Sequence, residues 1–405
     1  MERATASAGH SVQSDKVRNN LLPATHLVQI DPAKLFLSAL YETDHHSTTR
    51  TLPKTPDHNR KMTVQEVANG PAAMATEDST VRSLRETLTA ETTALGRRYR
   101  ALFSLKHLAC LHPPTSQTVP AIRAIAAGFS STSELLKHEL AYCLGQTRNE
   151  AAVPFLQQAL EDKKEAPMCR HEAAEALGAL GDVGSLGLLR GMRDDGGELD
   201  VIRETCEIAV ARIEWESGKG KAEKLRQSHF ASIDPAPPLA QEEREPSIAE
   251  LQATLLDTKL PLFIRYRAMF ALRDLSSPPD LPTAVPAIKA LALGLRDPSA
   301  LFRHEIAFVF GQLSHPASIP SLVAALSNRQ EAGMVRHEAA EALGSLGDEE
   351  GVEDILKQYL DDPEQVVRES VIVALDMAEF EKNGEMEYAI IPDREAPAVQ
   401  AAPVA

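Results

Sequence analysis

The 405-residue chain lacks several features that other classes of protein need. Its four cysteines form no CxxC pair, so the sequence indicates neither a zinc knuckle nor a thioredoxin-type motif, and free thiols suit a reducing compartment. No apolar run approaches the roughly 18 residues that cross a bilayer, and no basic-then-apolar signal peptide opens the chain. We therefore expect a cytoplasmic protein, with the nucleus as the alternative, and no membrane partner.

Aromatic residues and net positive charge are also scarce. Aromatics make up 4% of the chain, whereas Ala and Leu are abundant. Because strands draw on aromatic and β-branched residues, this composition favours closely packed helices. The net charge is −16. We expect no nucleic-acid partner, since so acidic a chain binds phosphate backbones poorly, but it attracts a cationic partner or substrate.

The two ends of the chain lack the pattern of the rest. Residues 1–75 are rich in Ser, Thr, Pro and His, and residues 383–405 end in EAPAVQAAPVA. Such segments carry too little apolar surface to form a core. The sequence predicts a mostly disordered N-terminal extension at 1–75 and a disordered tail at 383–405.

The middle of the chain is duplicated. RHEAAEALG occurs at 170–178 and again at 336–344, and KHELAYCLGQ at 137–146 corresponds to RHEIAFVFGQ at 303–312. Corresponding residues are 166 positions apart in both cases. This duplication predicts two homologous halves, 76–214 and 247–382, joined by a mobile linker at 215–246.

Each half also repeats internally. The distances from His138 to His171 and from His304 to His337 are both 33 residues. A period of this size is typical of a helical solenoid with one pair of helices per repeat. The pattern resembles HEAT repeats, four in each half. The predicted fold is therefore all-α, an α-solenoid in two pseudo-symmetric four-repeat halves that face a shared site.

Four His-Glu pairs recur at one position in the middle two repeats of each half. They are His138-Glu139, His171-Glu172, His304-Glu305 and His337-Glu338. We expect each pair in the first turn of the second helix of its repeat. A single pair is ordinary helix chemistry, since Glu there favours the helix dipole. However, the flanking repeats read RYR at 98–100 and 265–267, and RE at 203–204 and 368–369. If the His-Glu pairs had simply been copied with the repeats, they would not be confined to the middle two repeats in both halves.

These residue types favour a dinuclear metal site. Imidazole and carboxylate without thiolate favour iron or manganese, with zinc as an alternative. Eight potential ligands exceed the usual four of a structural zinc site and suit two metals. Neighbouring repeats should place equivalent positions ~10 Å apart, whereas paired metals lie within roughly 4 Å. We therefore expect both halves to supply ligands to one site.

Two further carboxylates lie one helical turn after the histidines of the third repeats. Glu175 and Glu341 are candidates to orient the imidazoles of His171 and His337, with solvated surface charge as the alternative. Other polar residues are expected to have structural roles: helix-end hydrogen bonds for Gln146 and Gln312, packing for Tyr99 and Tyr266, and structural or exposed positions for His107, His229 and His315.

With these motifs the chain resembles the deoxyhypusine hydroxylases over about 76–382. The most specific feature is RHEAAEALG, which is present twice. The resemblance implies two four-repeat HEAT-like halves, two bound Fe²⁺ ions, dioxygen as co-substrate, and all eight His and Glu residues as ligand positions. It also implies hydroxylation of the deoxyhypusine side chain of a translation factor to form hypusine, with electrons from an external donor.

The roles of the four carboxylates and the function itself leave alternatives. The implied substrate side chain is a polyamine, which an acidic crevice would attract, and we assign its ammonium groups first to Glu172 and Glu338. Three other functions stay open: a non-catalytic HEAT scaffold that binds a protein partner, a repeat protein resembling the bilin lyases, and a dinuclear hydrolase with the same ligands. Two irons per chain would support the hydroxylase.

Overall fold

The computed structural model describes residues 76–218, 222–242 and 244–382. Within these ranges the regular structure is helical, apart from one isolated bridge between Leu225 and Ala240. The predicted extension at 1–75 and the predicted tail at 383–405 lie outside the described residues. No helix in the described part of the chain is both long enough and apolar enough to span a membrane.

The helices form eight consecutive pairs. The first half contains α1 (Ser79–Thr89) and α2 (Leu95–Cys110), α3 (Thr118–Ala127) and α4 (Glu134–Gln146), α5 (Val153–Glu161) and α6 (Pro167–Ala179), and α7 (Leu186–Asp194) and α8 (Asp200–Ser217). The second half contains α9 (Ile248–Leu256) and α10 (Leu262–Asp274), α11 (Ala284–Leu293) and α12 (Ala300–Leu313), α13 (Ile319–Ser327) and α14 (Gly333–Gly344), and α15 (Val352–Lys357) and α16 (Gln365–Lys382). The prediction of four helix pairs in each half is confirmed.

An arginine at the fourth position of the second helix fixes the geometry of most pairs. Arg170 Nε donates to the carbonyl of Leu160 near the end of α5 at 3.0 Å, and its guanidinium binds Glu198 at 2.9 and 2.7 Å. The last carbonyls of a helix have no partner within that helix, so the arginine satisfies one of them. Equivalent bonds of 2.8–3.0 Å join Arg98 to Leu88, Arg265 to Leu255 and Arg336 to Leu326. The arginine of the RHE motif is therefore structural.

The eight second helices contact one another in a closed ring. Consecutive second helices pack together within each half, while α8 contacts α10 and α12, and α16 contacts α2 and α4. Glycine permits close approach at these contacts. A Cβ on Gly145 of α4 would lie 2.8 Å from the Cα of Ala176 on α6. The ring brings the two halves face to face, as the sequence predicted.

The linker differs from the sequence prediction in position and in packing. Because α8 continues to Ser217 and α9 begins at Ile248, the linker starts later than residue 215. The central part of the linker is packed, since residues 233–237 are buried, whereas the mobility expected from the sequence stays a prediction. The fully buried Arg273 of α10 donates two hydrogen bonds to the carboxylate of Asp234, at 2.9 and 2.7 Å.

Two equivalent glutamines hold the linker at the C-terminal ends of α4 and α12. Gln146 accepts a hydrogen bond from the backbone N–H of Ile233 at 3.0 Å and donates to its carbonyl at 3.3 Å. Gln312 Nε2 donates to Ser232 Oγ at 3.1 Å. Both glutamines therefore form the predicted helix-end hydrogen bonds, and their partner is the linker, which crosses between the halves here.

Candidate metal centre

The His-Glu pairs occupy the same place in four helices of the ring. Each histidine is the fifth residue of its helix and begins the second turn, whereas the sequence analysis expected the first turn. The difference arises because each helix begins four residues before its histidine, a start that the His-Glu motif does not reveal. The fifth residues of the eight second helices are, in chain order, Tyr99, His138, His171, Glu204, Tyr266, His304, His337 and Glu369. The ring therefore repeats the order Tyr-His-His-Glu twice.

The four imidazoles converge on one cluster. Within the halves, ring centroids are 5.3 Å apart for His138 and His171, and 5.4 Å apart for His304 and His337. Across the halves, His138 lies 5.3 Å from His337 and 5.8 Å from His304, and His171 lies 5.3 Å from His304. The expected ~10 Å spacing within one half describes stacked helices and is wrong for these side chains, which come closer together than the helix spacing.

The imidazole nitrogens are buried without hydrogen-bond partners. Among the described residues, both ring nitrogens of His171, His304 and His337, and Nε2 of His138, have no partner. The four histidine residues are at most 6% exposed. A buried polar atom left unpaired costs roughly 1–3 kcal/mol, so several at one point indicate a bound group. The residues present therefore fit a metal cation.

Two carboxylates approach the imidazoles in the same way in both halves. His138 Nε2 lies 3.3 Å from Glu172 Oε2, and His304 Nε2 lies 3.3 Å from Glu338 Oε2. Neither contact has the alignment of a hydrogen bond. Three groups of residues could each hold a metal ion, because within each group the ligand atoms lie within 4.8 Å of one another. The groups are His138, His171 and His304; His304, His337 and Glu338; and His171, Glu172 and Glu175. The first group combines both halves.

The remaining two carboxylates of the motif lie outside these groups. Glu139 accepts a weak hydrogen bond from Cys143 Sγ at 3.7 Å, and Glu305 has a buried Oε1 without a hydrogen-bond partner among the described residues. Both side chains are buried, at 6% and 2% exposed. The geometry therefore separates Glu139 and Glu305 from Glu172 and Glu338.

Burial makes the cluster a poor place for charge. It lowers the pKa of His304 to about 3 and the pKa of His171 and His337 well below the usual value, so these imidazoles are neutral, as metal ligation requires. Burial also raises the pKa of Glu139 and Glu172 to about 8, and neighbouring carboxylates add to this effect. A cation bound among these carboxylates would lower their pKa again, because it stabilises their ionised form.

Two carboxylates of the outer repeats were not assigned a role from sequence. Glu369 accepts a hydrogen bond from Ser133, the N-cap of α4, at 2.7 Å. Glu204 accepts the equivalent bond from Ser299, the N-cap of α12, at 2.7 Å. Each bond joins one half to the other at the start of a histidine-bearing helix. Glu204 lies 33 residues after His171 and Glu369 lies 32 residues after His337, so the repeat period places both glutamates in the histidine position and could have identified them.

Comparison with known proteins agrees with this arrangement. Residues 119–211 and 288–376 match the HEAT repeat family. The chain is 72% identical over 325 residues to deoxyhypusine hydroxylase of Phaeosphaeria nodorum, an alignment that covers 80% of this chain and 99% of the relative. It is 71% identical over 317 residues to deoxyhypusine hydroxylase of Aspergillus fumigatus, covering 78% of this chain and 95% of the relative. The chain belongs to the deoxyhypusine hydroxylases.

A solved structure of the family agrees as well. The structure of human deoxyhypusine hydroxylase in complex with glycerol is similar with a TM-score of 0.65 and 44% sequence identity, covering 74% of this chain and 96% of that chain. The chain is therefore an enzyme that hydroxylates deoxyhypusine, and the non-catalytic scaffold is excluded. The buried histidines and glutamates at the centre of its ring indicate a metal site.

Proposed function

We propose that the four histidines and two of the glutamates of the His-Glu pairs bind two iron ions, and that the enzyme hydroxylates deoxyhypusine on a translation factor in the cytoplasm. Dioxygen is the co-substrate and an external donor supplies electrons. The observation that carries the metal assignment is the set of buried imidazole nitrogens without partners. Nitrogen and oxygen ligands without thiolate suit iron. Bound iron would supply the activation of dioxygen, while the chain supplies ligands, burial and charge.

The carboxylates of the third repeats serve as ligands in this proposal. Glu172 and Glu338 each lie 3.3 Å from an imidazole nitrogen of the neighbouring repeat. Both also belong to groups whose ligand atoms lie within 4.8 Å of one another. This revises the division expected from sequence, in which these two residues received the ammonium groups of the substrate.

Glu139 and Glu305 are left to receive the ammonium groups. They follow His138 and His304 directly in the chain but lie outside the ligand groups. Burial raises the pKa of Glu139 to about 8 and that of Glu305 well above its usual value. A positive amine beside each carboxyl would favour its charged form. A polyamine side chain is therefore complementary to this pair.

The carboxylates one turn beyond the third-repeat histidines would support the ligands. Glu341 Oε1 lies 3.6 Å from His337 Nδ1, where it can hold the imidazole with Nε2 available to a metal. Glu175 lies close to His171 and Glu172. We propose that both residues orient ligands rather than react.

The layers along α4 and α12 suggest the direction from which substrate arrives. His138 and His304 form one layer, and one turn further on the rings of Tyr142 and Phe308 lie 6.1 Å apart. A further turn on, Gln146 and Gln312 bind the linker. The linker thus covers the C-terminal side of these helices, and we propose that the substrate side chain enters from the side of their N-termini.

Iron content and hydroxylation measured together test the metal centre. His171→Ala and His337→Ala should each lower the iron bound by the full-length protein and abolish hydroxylation of a deoxyhypusine-bearing translation factor, followed by mass spectrometry. His107→Ala is the control, because this histidine is exposed and lies outside the cluster. Full iron content in both cluster variants would refute the proposal.

Two glutamine substitutions test the division of the carboxylates. Glu172→Gln should lower iron content, because it removes a ligand charge. Glu139→Gln should keep iron but raise KM for the deoxyhypusine-bearing protein, since it removes the charge that faces an ammonium group. Loss of iron in Glu139→Gln together with full iron in Glu172→Gln would show that the division is the reverse.

A further inference from the structure

The second half holds its outer carboxylate with a hydroxyl group. Ser370 Oγ on α16 donates to Glu341 Oε1 at 3.0 Å, and the same oxygen lies 3.6 Å from His337 Nδ1. All three residues are buried or partly buried. The result is a continuous chain of contacts from hydroxyl to carboxylate to imidazole, which leads to the centre of the ring.

The first half lacks this chain of contacts. The counterpart of Ser370 is Thr205 on α8, since each follows the glutamate at the fifth position of its helix. Thr205 Oγ1 donates instead to the carbonyl of Val201 in its own helix, at 2.7 Å. Threonine in a helix commonly makes this bond to the residue four positions earlier. The counterpart of Glu341, Glu175, therefore has no hydroxyl from Thr205 to hold it.

A carboxylate held against one imidazole nitrogen changes the other nitrogen as a ligand. It fixes the tautomer and ring orientation and increases ligand basicity, and its loss typically weakens metal binding 10- to 100-fold. Here the carboxylate faces Nδ1 of His337 at 3.6 Å, which is a charge contact and not a hydrogen bond, so Nε2 is the nitrogen left for a metal. Glu175 also lies close to His171, but it receives no hydrogen bond from Thr205, whose hydroxyl donates to Val201. The hydroxyl that holds Glu341 therefore has no counterpart in the first half.

We infer that Ser370 is a positioning residue that makes the two metal positions unequal. The position formed by His337 and Glu338 binds a divalent metal more tightly than the position formed by His171 and Glu172. The expected difference is about tenfold, the lower end of the effect of such outer contacts. This inference rests on the proposed dinuclear centre and concerns the strength of its two positions.

Titration of the metal-free, full-length protein with Co²⁺ tests the inference, with calorimetry and visible absorption as readouts. The wild-type protein should bind in two steps about tenfold apart. Ser370→Ala should weaken the tighter step about tenfold, so that the two steps merge. Thr205→Ala is the matched control and should leave both steps unchanged, because its hydroxyl faces its own helix. His337→Ala should remove the same tighter step.

Several results would overturn the inference. They are two equal steps in the wild-type protein, an unchanged titration of Ser370→Ala, or an equal effect of Thr205→Ala. If Ser370→Ala fails to fold by circular dichroism, Glu341→Gln tests the same contact and must also weaken the tighter step. Absence of any Co²⁺ binding would refute the metal centre itself, which is a different result from two equal steps.

Discussion

Arg273→Ala should strongly destabilise the protein by releasing the linker from the second half. The guanidinium of Arg273 is fully buried and binds the carboxylate of Asp234 at 2.9 and 2.7 Å. It also donates to Gln312 Oε1 at 2.8 Å and stacks 4.2 Å from the ring centroid of Phe230. Its removal leaves Asp234, which is 7% exposed, without its cation.

The expected loss of stability in Arg273→Ala follows from the burial of the ion pair. Removing one partner of a buried ion pair costs about 3–5 kcal/mol, because the other charge remains buried without compensation. Replacing Asp234 by Asn in the Arg273→Ala background removes that charge. The double variant should therefore be more stable than Arg273→Ala, and the cycle completed with Asp234→Asn alone measures the coupling between the two residues.

Urea unfolding of the metal-free protein, followed by far-UV circular dichroism, measures the effect. Arg244→Ala is the matched control, because Arg244 binds Glu250 with the same two distances, 2.9 and 2.7 Å. Those side chains are 73% and 49% exposed, and solvent screening makes such pairs weak, so no measurable change is expected. If Arg273→Ala is no more destabilising than Arg244→Ala, the linker is not packed as described and the mobile linker predicted from sequence is correct.

Three further predictions concern pH, packing and the N-terminal extension. The pKa of Glu139 and Glu172 is raised to about 8 in the folded protein. Their contribution to stability is therefore complete below the pKa that they have in the unfolded chain, and it is lost as the pH rises through about 8. The urea midpoint of the metal-free protein should therefore fall from pH 6.5 to pH 9, and a midpoint that rises would contradict this. Gly145→Ala should cost about 1–3 kcal/mol by overpacking and lower iron content, because α4 and α6 carry two of the histidines. At Gly187, which is also helical, an added Cβ would meet nothing within 4 Å. Gly187→Ala should therefore not destabilise the protein in the same unfolding assay, and equal effects would refute the packing argument. Removal of residues 1–61, which lack a repeat pattern, should leave iron content and hydroxylation unchanged, and a truncated protein without iron would show that they are needed.

The cross-half contacts explain how a repeat protein forms an enclosed site. An open solenoid contacts only its neighbours in sequence, whereas here α8 and α16 each contact the opposite half. The bonds from Ser133 to Glu369 and from Ser299 to Glu204 hold the N-termini of α4 and α12 at these contacts. Metal bound at the centre would add a further link between the halves and stabilise the closed ring through linkage.

The amino-acid sequence by itself determined the architecture and the ligand candidates. Helical pairs, four repeats per half and the duplication all appear as periods of residues, because repeat geometry is local and each unit carries its own pattern. The same periods singled out four His-Glu pairs, since only those repeats retain both residues. The sequence also contained the bias towards a cationic substrate, because net charge does not depend on the fold.

Only the tertiary structure decided how these residues meet. The imidazoles lie 5.3–5.8 Å apart because the ring closes through contacts between helices that are far apart in sequence, and no local period records such contacts. The packing of the linker was missed because Asp234 and Ile233 find their partners in Arg273 and Gln146, 39 and 87 residues away. The division between Glu172 and Glu139 was likewise undetermined, because the two residues occupy equivalent positions on neighbouring helices. The repeat pattern cannot distinguish them, and only the folded ring shows which of them meets an imidazole.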